Sequence, residues 1–127
     1  MFKLTKIEGG RINVFEPLVL KVGTTAVTSG QGLVLSGGLL VSAGAGKPAF
    51  ISLADGAANS EIAVGRVEPN QLYEVEITAA PTSLKIGEKV KLDSGTKVTA
   101  TTTDGVAEIV SLNGATAAGD TVIVRFS

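Results

Sequence analysis

Cysteine, histidine and tryptophan are all absent from this 127-residue chain. Without cysteine there is no disulfide, no thiolate nucleophile and no thiolate metal site, and the redox compartment stays open. Without histidine the commonest general base and the commonest transition-metal ligand are missing. Aromatic residues make up 4% of the chain, four phenylalanines and one tyrosine. A core of Val, Leu, Ile and Ala buries less area per residue than an aromatic one, so a modest stability margin is expected. Assembly with copies of itself or with a partner would raise that margin. Charge of one sign is lacking too: 11 basic residues face 12 acidic ones. That balance lacks the basic excess that phosphate-backbone binding requires, so nucleic acid is not an expected partner. Lys3 and Lys6 near the start are not followed by an apolar run of signal-peptide length. Nor does any uncharged apolar stretch approach the roughly 18 residues of a membrane helix. The expectation is a chain made in a cytoplasm, with no membrane partner.

What the chain does have is glycine, 16 of them, and an internal repeat. Gly30-Gln31-Gly32-Leu33-Val34-Leu35-Ser36-Gly37 through Val41-Ser42-Ala43 matches Gly87-Glu88-Lys89-Val90-Lys91-Leu92-Asp93-Ser94 through Val98-Thr99-Ala100 at an offset of 57. Phe50–Leu53 matches Ile109–Leu112 at an offset of 59, and Ile62–Val64 and Val122–Val124 follow. A self-similar pair of hairpin-plus-strand units implies a duplicated β fold whose halves bury their apolar faces together. Strands are expected at Leu33–Leu35, Leu39–Val41, Phe50–Leu53, Ile62–Val67, Leu72–Thr78, Lys89–Leu92, Lys97–Ala100, Ala107–Leu112 and Thr121–Phe126. The turns Ser36-Gly37-Gly38 and Asp93-Ser94-Gly95 supply the positive φ that tight hairpins demand. Leu72–Thr78 alternates cleanly, with Glu74 and Glu76 facing water, and bridges the two copies. No stretch of convincing length has a 3.6-residue period; Ala54–Ser60 could make one helical turn at most. The expected fold is all-β, a small sandwich or barrel built from two similar units, about 18–78 and 79–127, with an extended N-terminal arm.

Residues 1–17 read as a separate piece, either an arm or an edge strand. Arg11–Glu16 alternates polar and apolar side chains, Gly9-Gly10 loosens the chain before it, and Pro17 stops any continuing ladder. Two of the four phenylalanines, Phe2 and Phe15, fall here. One expectation is an edge strand of the same domain. The other is an arm whose Phe2, Leu4, Ile7, Arg11, Ile12, Val14 and Phe15 pack on a neighbouring subunit or partner.

Chemistry has few candidates. Asp55, Glu61, Glu68, Glu88, Asp93, Asp104 and Asp120 fall mostly in turns or at strand starts, where carboxylates are solvated or bond turn backbone. No pair stands out as an acid and base for glycoside hydrolysis. Gly44-Ala45-Gly46-Lys47-Pro48 resembles a phosphate loop superficially, but Pro48 takes the hydroxyl position and no helix follows. Asp55-Gly56 and Asp104-Gly105 do not extend into a calcium loop. Lys85, Lys89, Lys91 and Lys97 read as a charged face protecting a sheet edge. No catalytic residue, cofactor or metal is expected, and the chain does not read as an enzyme.

The run Thr28-Ser29-Gly30-Gln31-Gly32-Leu33-Val34-Leu35-Ser36-Gly37-Gly38, followed by Pro48-Ala49-Phe50-Ile51-Ser52-Leu53, resembles the small capsid cement or head decoration proteins of tailed bacteriophages. Gly10–Pro17 is similar to the opening segment of such chains. The resemblance implies a structural virion protein on the capsid exterior, made in the host bacterial cytoplasm. It would bind the major capsid protein, associate with itself as a trimer, and reinforce joints between capsid subunits. The alternative is a carbohydrate- or receptor-binding β module, whose usual signature is exposed aromatic rings.

Overall fold

The computed structural model describes residues 1–7 and 17–126, and every regular element in them is a strand. Twelve are present: β1 Lys3–Ile7, β2 Pro17–Lys21, β3 Gly32–Ser36, β4 Leu39–Ser42, β5 Phe50–Ser52, β6 Glu61–Arg66, β7 Gln71–Glu76, β8 Lys89–Val90, β9 Leu92–Asp93, β10 Lys97–Val98, β11 Ala107–Ser111 and β12 Thr121–Phe126. They form two five-stranded antiparallel sheets, ordered β2-β6-β5-β3-β4 and β1-β7-β12-β11-β8, with β9 and β10 as a short hairpin beside the second. The fold is all-β, and the two sheets pack as a sandwich.

Each unit also closes on itself, the first through β4 and the second through the β9–β10 hairpin, with β1 left outside the closure at the edge. In the first, a parallel bridge joins Val22 to Leu40, and the Gly23 amide donates to the Leu40 carbonyl at 2.9 Å. In the second, Ile77 bridges to Val98, and the Thr78 amide donates to the Val98 carbonyl at 2.9 Å. Each closed unit wraps its own core. Val22, Val27, Leu33, Leu40, Phe50, Ile62 and Val64 fill the first. The second holds Tyr73, Val75, Ile77, Val90, Leu92, Val98, Ile109, Val122, Val124 and Phe126, joined by Ile51 from the first sheet. The placing of apolar side chains at every second position, Val122, Val124 and Phe126, explains why one face of β12 is dry, since successive side chains point to opposite faces.

The duplication extends to single hydrogen bonds. The Ala49 amide donates to Leu33 in the first unit, and the Val106 amide to Val90 in the second, both at 2.9 Å. Gly30 donates to Ser52 and Gly87 to Ile109, with both glycines at positive φ. The Thr28 amide donates to the Gln31 side chain, and the Lys85 amide to the Glu88 side chain. Gln31 and Glu88 return the bond through their own amides to Thr28 and Lys85. This reciprocal turn, preserved with different residues, sets the entry angle of the hairpin in both copies.

The structure also adjusts the sequence-based alignment. Leu35 pairs with Leu40, and Leu92 with Val98, so the partner of Val98 in the first unit is Leu40 and not Val41. The turn is tighter in the first copy: Ser36 pairs directly with Leu39 across Gly37 and Gly38, whereas Asp93 pairs with Lys97 across Ser94, Gly95 and Thr96. Phe50 and Ala107 hold the same place, facing Leu33 and Val90, so the shift expected before this strand falls later. A bulge between Ile109 and Ser111 supplies part of it. The boundary between units moves as well. β7 is the first strand of the second unit, because Tyr73 faces Val124 as Leu18 faces Val64. It does not bridge the copies, and residues 71–78 belong with the second half.

Two strands escaped the sequence reading. β2 begins at Pro17, which pairs with Gly65 and opens the ladder where it was expected to end one. Proline is tolerated at the first residue of a strand. β1 lies at Lys3–Ile7, and the expected strand Arg11–Glu16 lies outside the described residues.

Candidate interaction surface

β1 runs antiparallel to β7 at the free edge of the second sheet, with a bulge between Leu4 and Lys6. Phe2, just ahead of it, enters the second core at 3% exposure. Its ring meets Tyr73 edge-on at 6.1 Å and Phe126 at 5.4 Å, and these two rings pack together at 5.6 Å. Edge-to-face and tilted contacts at these separations suit the quadrupoles of the rings. Ile7 is buried and Leu4 packs partly against the same core. The expectation that Phe2 and Ile7 dock on a neighbour is therefore corrected: their apolar surface is taken up by this chain's own second unit. Lys3–Ile7 is itself an edge strand of this chain's second sheet. Arg11, Ile12, Val14 and Phe15 lie outside the described residues.

The two units meet at a seam made largely of backbone. The tip of the β9–β10 hairpin rests on the first unit, where the Gly32 amide donates to the Gly95 carbonyl at 2.6 Å and the Gly95 amide to Gly44 at 2.9 Å. The Ser42 hydroxyl donates to the Ser94 carbonyl at 3.2 Å. Gly95 sits at φ 71°, and a Cβ there would stand 2.7 Å from the Gly32 carbonyl oxygen. No other residue fits without parting the units. The N-terminal amine donates to the Thr96 carbonyl at 2.6 Å on the same seam.

The outer face of the first unit carries a feature the sequence reading missed. Val19 on β2 pairs with Ala63 on β6, and the Leu53 amide donates to the Ala63 carbonyl. Leu18, Leu20, Ile62 and Val64 turn inward, so Val19, Ala63 and Leu53 form a row across the outside of the sheet. Val19 is 66% exposed and Leu53 40%. Lys21 faces Glu61 at the end of this row. The only local signal is the short apolar run Leu18-Val19-Leu20, which does not alternate and so does not say which side chain faces out.

The carboxylates act on backbone. An oxygen of Asp120 accepts from the Thr116 and Ala117 amides at 3.0 Å each, and these bonds hold its carboxyl below the ordinary 3.8. Asp55 accepts from the Ser29 amide at 2.8 Å. Glu108 pairs with Arg125 across β11 and β12 at 2.7 Å, and Lys97 reaches Glu76 at 3.9 Å beside the closing bridge of the second unit. Among the described residues no group of three or more Asp or Glu is placed to hold a metal ion. A shallow hollow of about 280 Å³ beside the seam is lined by Thr24, Thr25, Gln31, Ser42, Val27 and Val41, none of them charged. The rings of Phe2, Phe50, Tyr73 and Phe126 are all buried, which leaves none of them as a platform for a sugar. No helix among the described residues is long and apolar enough to cross a membrane.

No family model matches the chain, and no curated protein matches it.

Proposed function

We propose that this chain is a structural protein of a tailed-phage virion, binding the outside of the capsid and reinforcing contacts between major capsid subunits. The observation that carries the reading is the outer row Val19–Ala63–Leu53, left exposed on the first unit. An exposed apolar row that ends in the pair Lys21 and Glu61 suits a protein surface better than a small ligand, which a concave pocket would hold. Many such contacts on one lattice act together, so modest affinity at each site is enough. The burial of Phe2, Phe50, Tyr73 and Phe126 weighs against the carbohydrate-binding alternative.

The test uses heads assembled from the major capsid gene product encoded nearest to this chain's own gene. Purified protein should sediment with expanded heads and raise their melting temperature. The double variant Val19→Ser with Leu53→Ser should bind at least tenfold more weakly, while its own melting temperature stays close to that of the parent, because both side chains already face water. Equal binding by the variant removes the row from the interface. Absence of parent binding to any head form contradicts the proposal.

A further inference from the structure

The two hairpin tips are equivalent in the fold and opposite in their surroundings. In the second unit the tip is covered: Gly95 is buried on the first unit, and Leu92, at the base of the hairpin, is 2% exposed with its amide donating to the Ala45 carbonyl. In the first unit the tip is bare. Gly37 and Gly38 are exposed, and a Cβ built on either would meet nothing within 4 Å. Leu35, the counterpart of Leu92, is 47% exposed. Leu92 also belongs to the second unit's own core, so the open contact is marked by the tip itself, which is covered by the other unit in one copy and bare in the other.

The receiving edge is duplicated as well. In the first unit it is Gly32 with Ser42 and Gly44, and it is occupied by the second unit's tip. The matching edge of the second unit is Lys89 with the segment Thr101–Thr103, all exposed. Side-chain volume is exchanged between the two pairs. Where the tip carries Ser94 and Thr96, the edge has Gly32. Where the edge carries Lys89, the tip has Gly37 and Gly38.

We propose that the Gly37–Gly38 tip of one copy docks on the Lys89 and Thr101–Thr103 edge of a second copy, repeating between chains the contact that joins the two units within each chain. The second copy is the occupant because the complementary edge is found on this same chain, one unit away. Such a contact is heterologous, a tip on an edge, and it closes into a ring if the rotation permits and otherwise runs on as an open array. Each added copy covers one Leu35. The proposal stands apart from the capsid reading, because it concerns only how copies of this chain meet.

The absence of native cysteine makes the test clean. Ser36→Cys and Thr102→Cys are prepared as separate variants and oxidised alone, mixed in equal amounts, and each mixed with Val19→Cys as a control for random collision. A tip-on-edge contact predicts several-fold more disulfide-linked dimer in the Ser36→Cys and Thr102→Cys mixture than in any other sample. It also predicts a ladder from the chain carrying both changes. Adding Leu35→Ser should cut the cross-linked yield several-fold without changing the melting temperature. Cross-linking of Ser36→Cys alone at the level of the mixture would show a tip-to-tip contact and overturn the proposal. A mixture no better than the Val19→Cys controls, at concentrations where light scattering detects only monomer, overturns it too.

Discussion

Tyr73 is the only tyrosine in a chain without tryptophan, so it reports on its own surroundings without interference. It is fully buried among Phe2 and Phe126, and its hydroxyl donates to the Gln71 side chain, whose amide in turn donates to the Arg66 carbonyl. Burial raises its ionisation well above the ordinary 10.0, and the Glu68 carboxylate adds to the effect. Because the folded pKa is raised, the native state resists losing this proton. Stability from Tyr73 is complete below pH 10 and declines as the pH climbs above it. Tyrosinate absorbance should stay flat through pH 10 and appear only together with loss of β signal by circular dichroism. Titration near 10 with the fold intact would contradict the packing. The burial of Tyr73 was legible, since Leu72–Thr78 alternates. Its pairing with Gln71 was not, because a hydrogen bond between residues two apart on the same strand face leaves no periodic trace.

Among the elements, the nine strands expected from residue 33 onward all appear, because glycine turns and aliphatic runs announce them locally. β8 and β9 divide one of them where Lys91 interrupts the ladder. β1 was unreadable for a different reason. Lys3-Leu4-Thr5-Lys6-Ile7 becomes a strand because β7 offers it an edge, and that edge is made by residues far along the chain. Long-range pairing of this kind is decided by tertiary context more than by propensity. The consequence is that the start of the chain stabilises its far half. Phe2→Ala should lower unfolding stability by about 3–5 kcal/mol, the usual cost of removing a buried phenylalanine. Amide exchange should speed up most along β7 and β12, with β2 and β6 less affected. A loss under about 0.5 kcal/mol, the range of neutral surface changes, would show that Phe2 does not sit between Tyr73 and Phe126.

At the scale of the molecule, duplication was visible in Leu33–Val41 and Val90–Val98, but the assignment of β7 was not. The strand lies next to the second repeat in sequence and resembles nothing in the aligned hairpins, and only its pairing with β12 shows it to be the counterpart of β2. The outer row was hidden on β2, since Val19 gains its place in it only from Ala63 and Leu53 across the sheet. Together the two units leave one apolar row and one bare hairpin tip exposed, the two features on which the proposed capsid contact and self-contact rest. The most direct measurement is a cryo-EM map of the parent particle. The account predicts paired β units on the capsid exterior across joints between major capsid subunits, with Val19 and Leu53 facing the shell. Mature heads with a bare exterior, in cells where this chain is abundant and soluble, would contradict it.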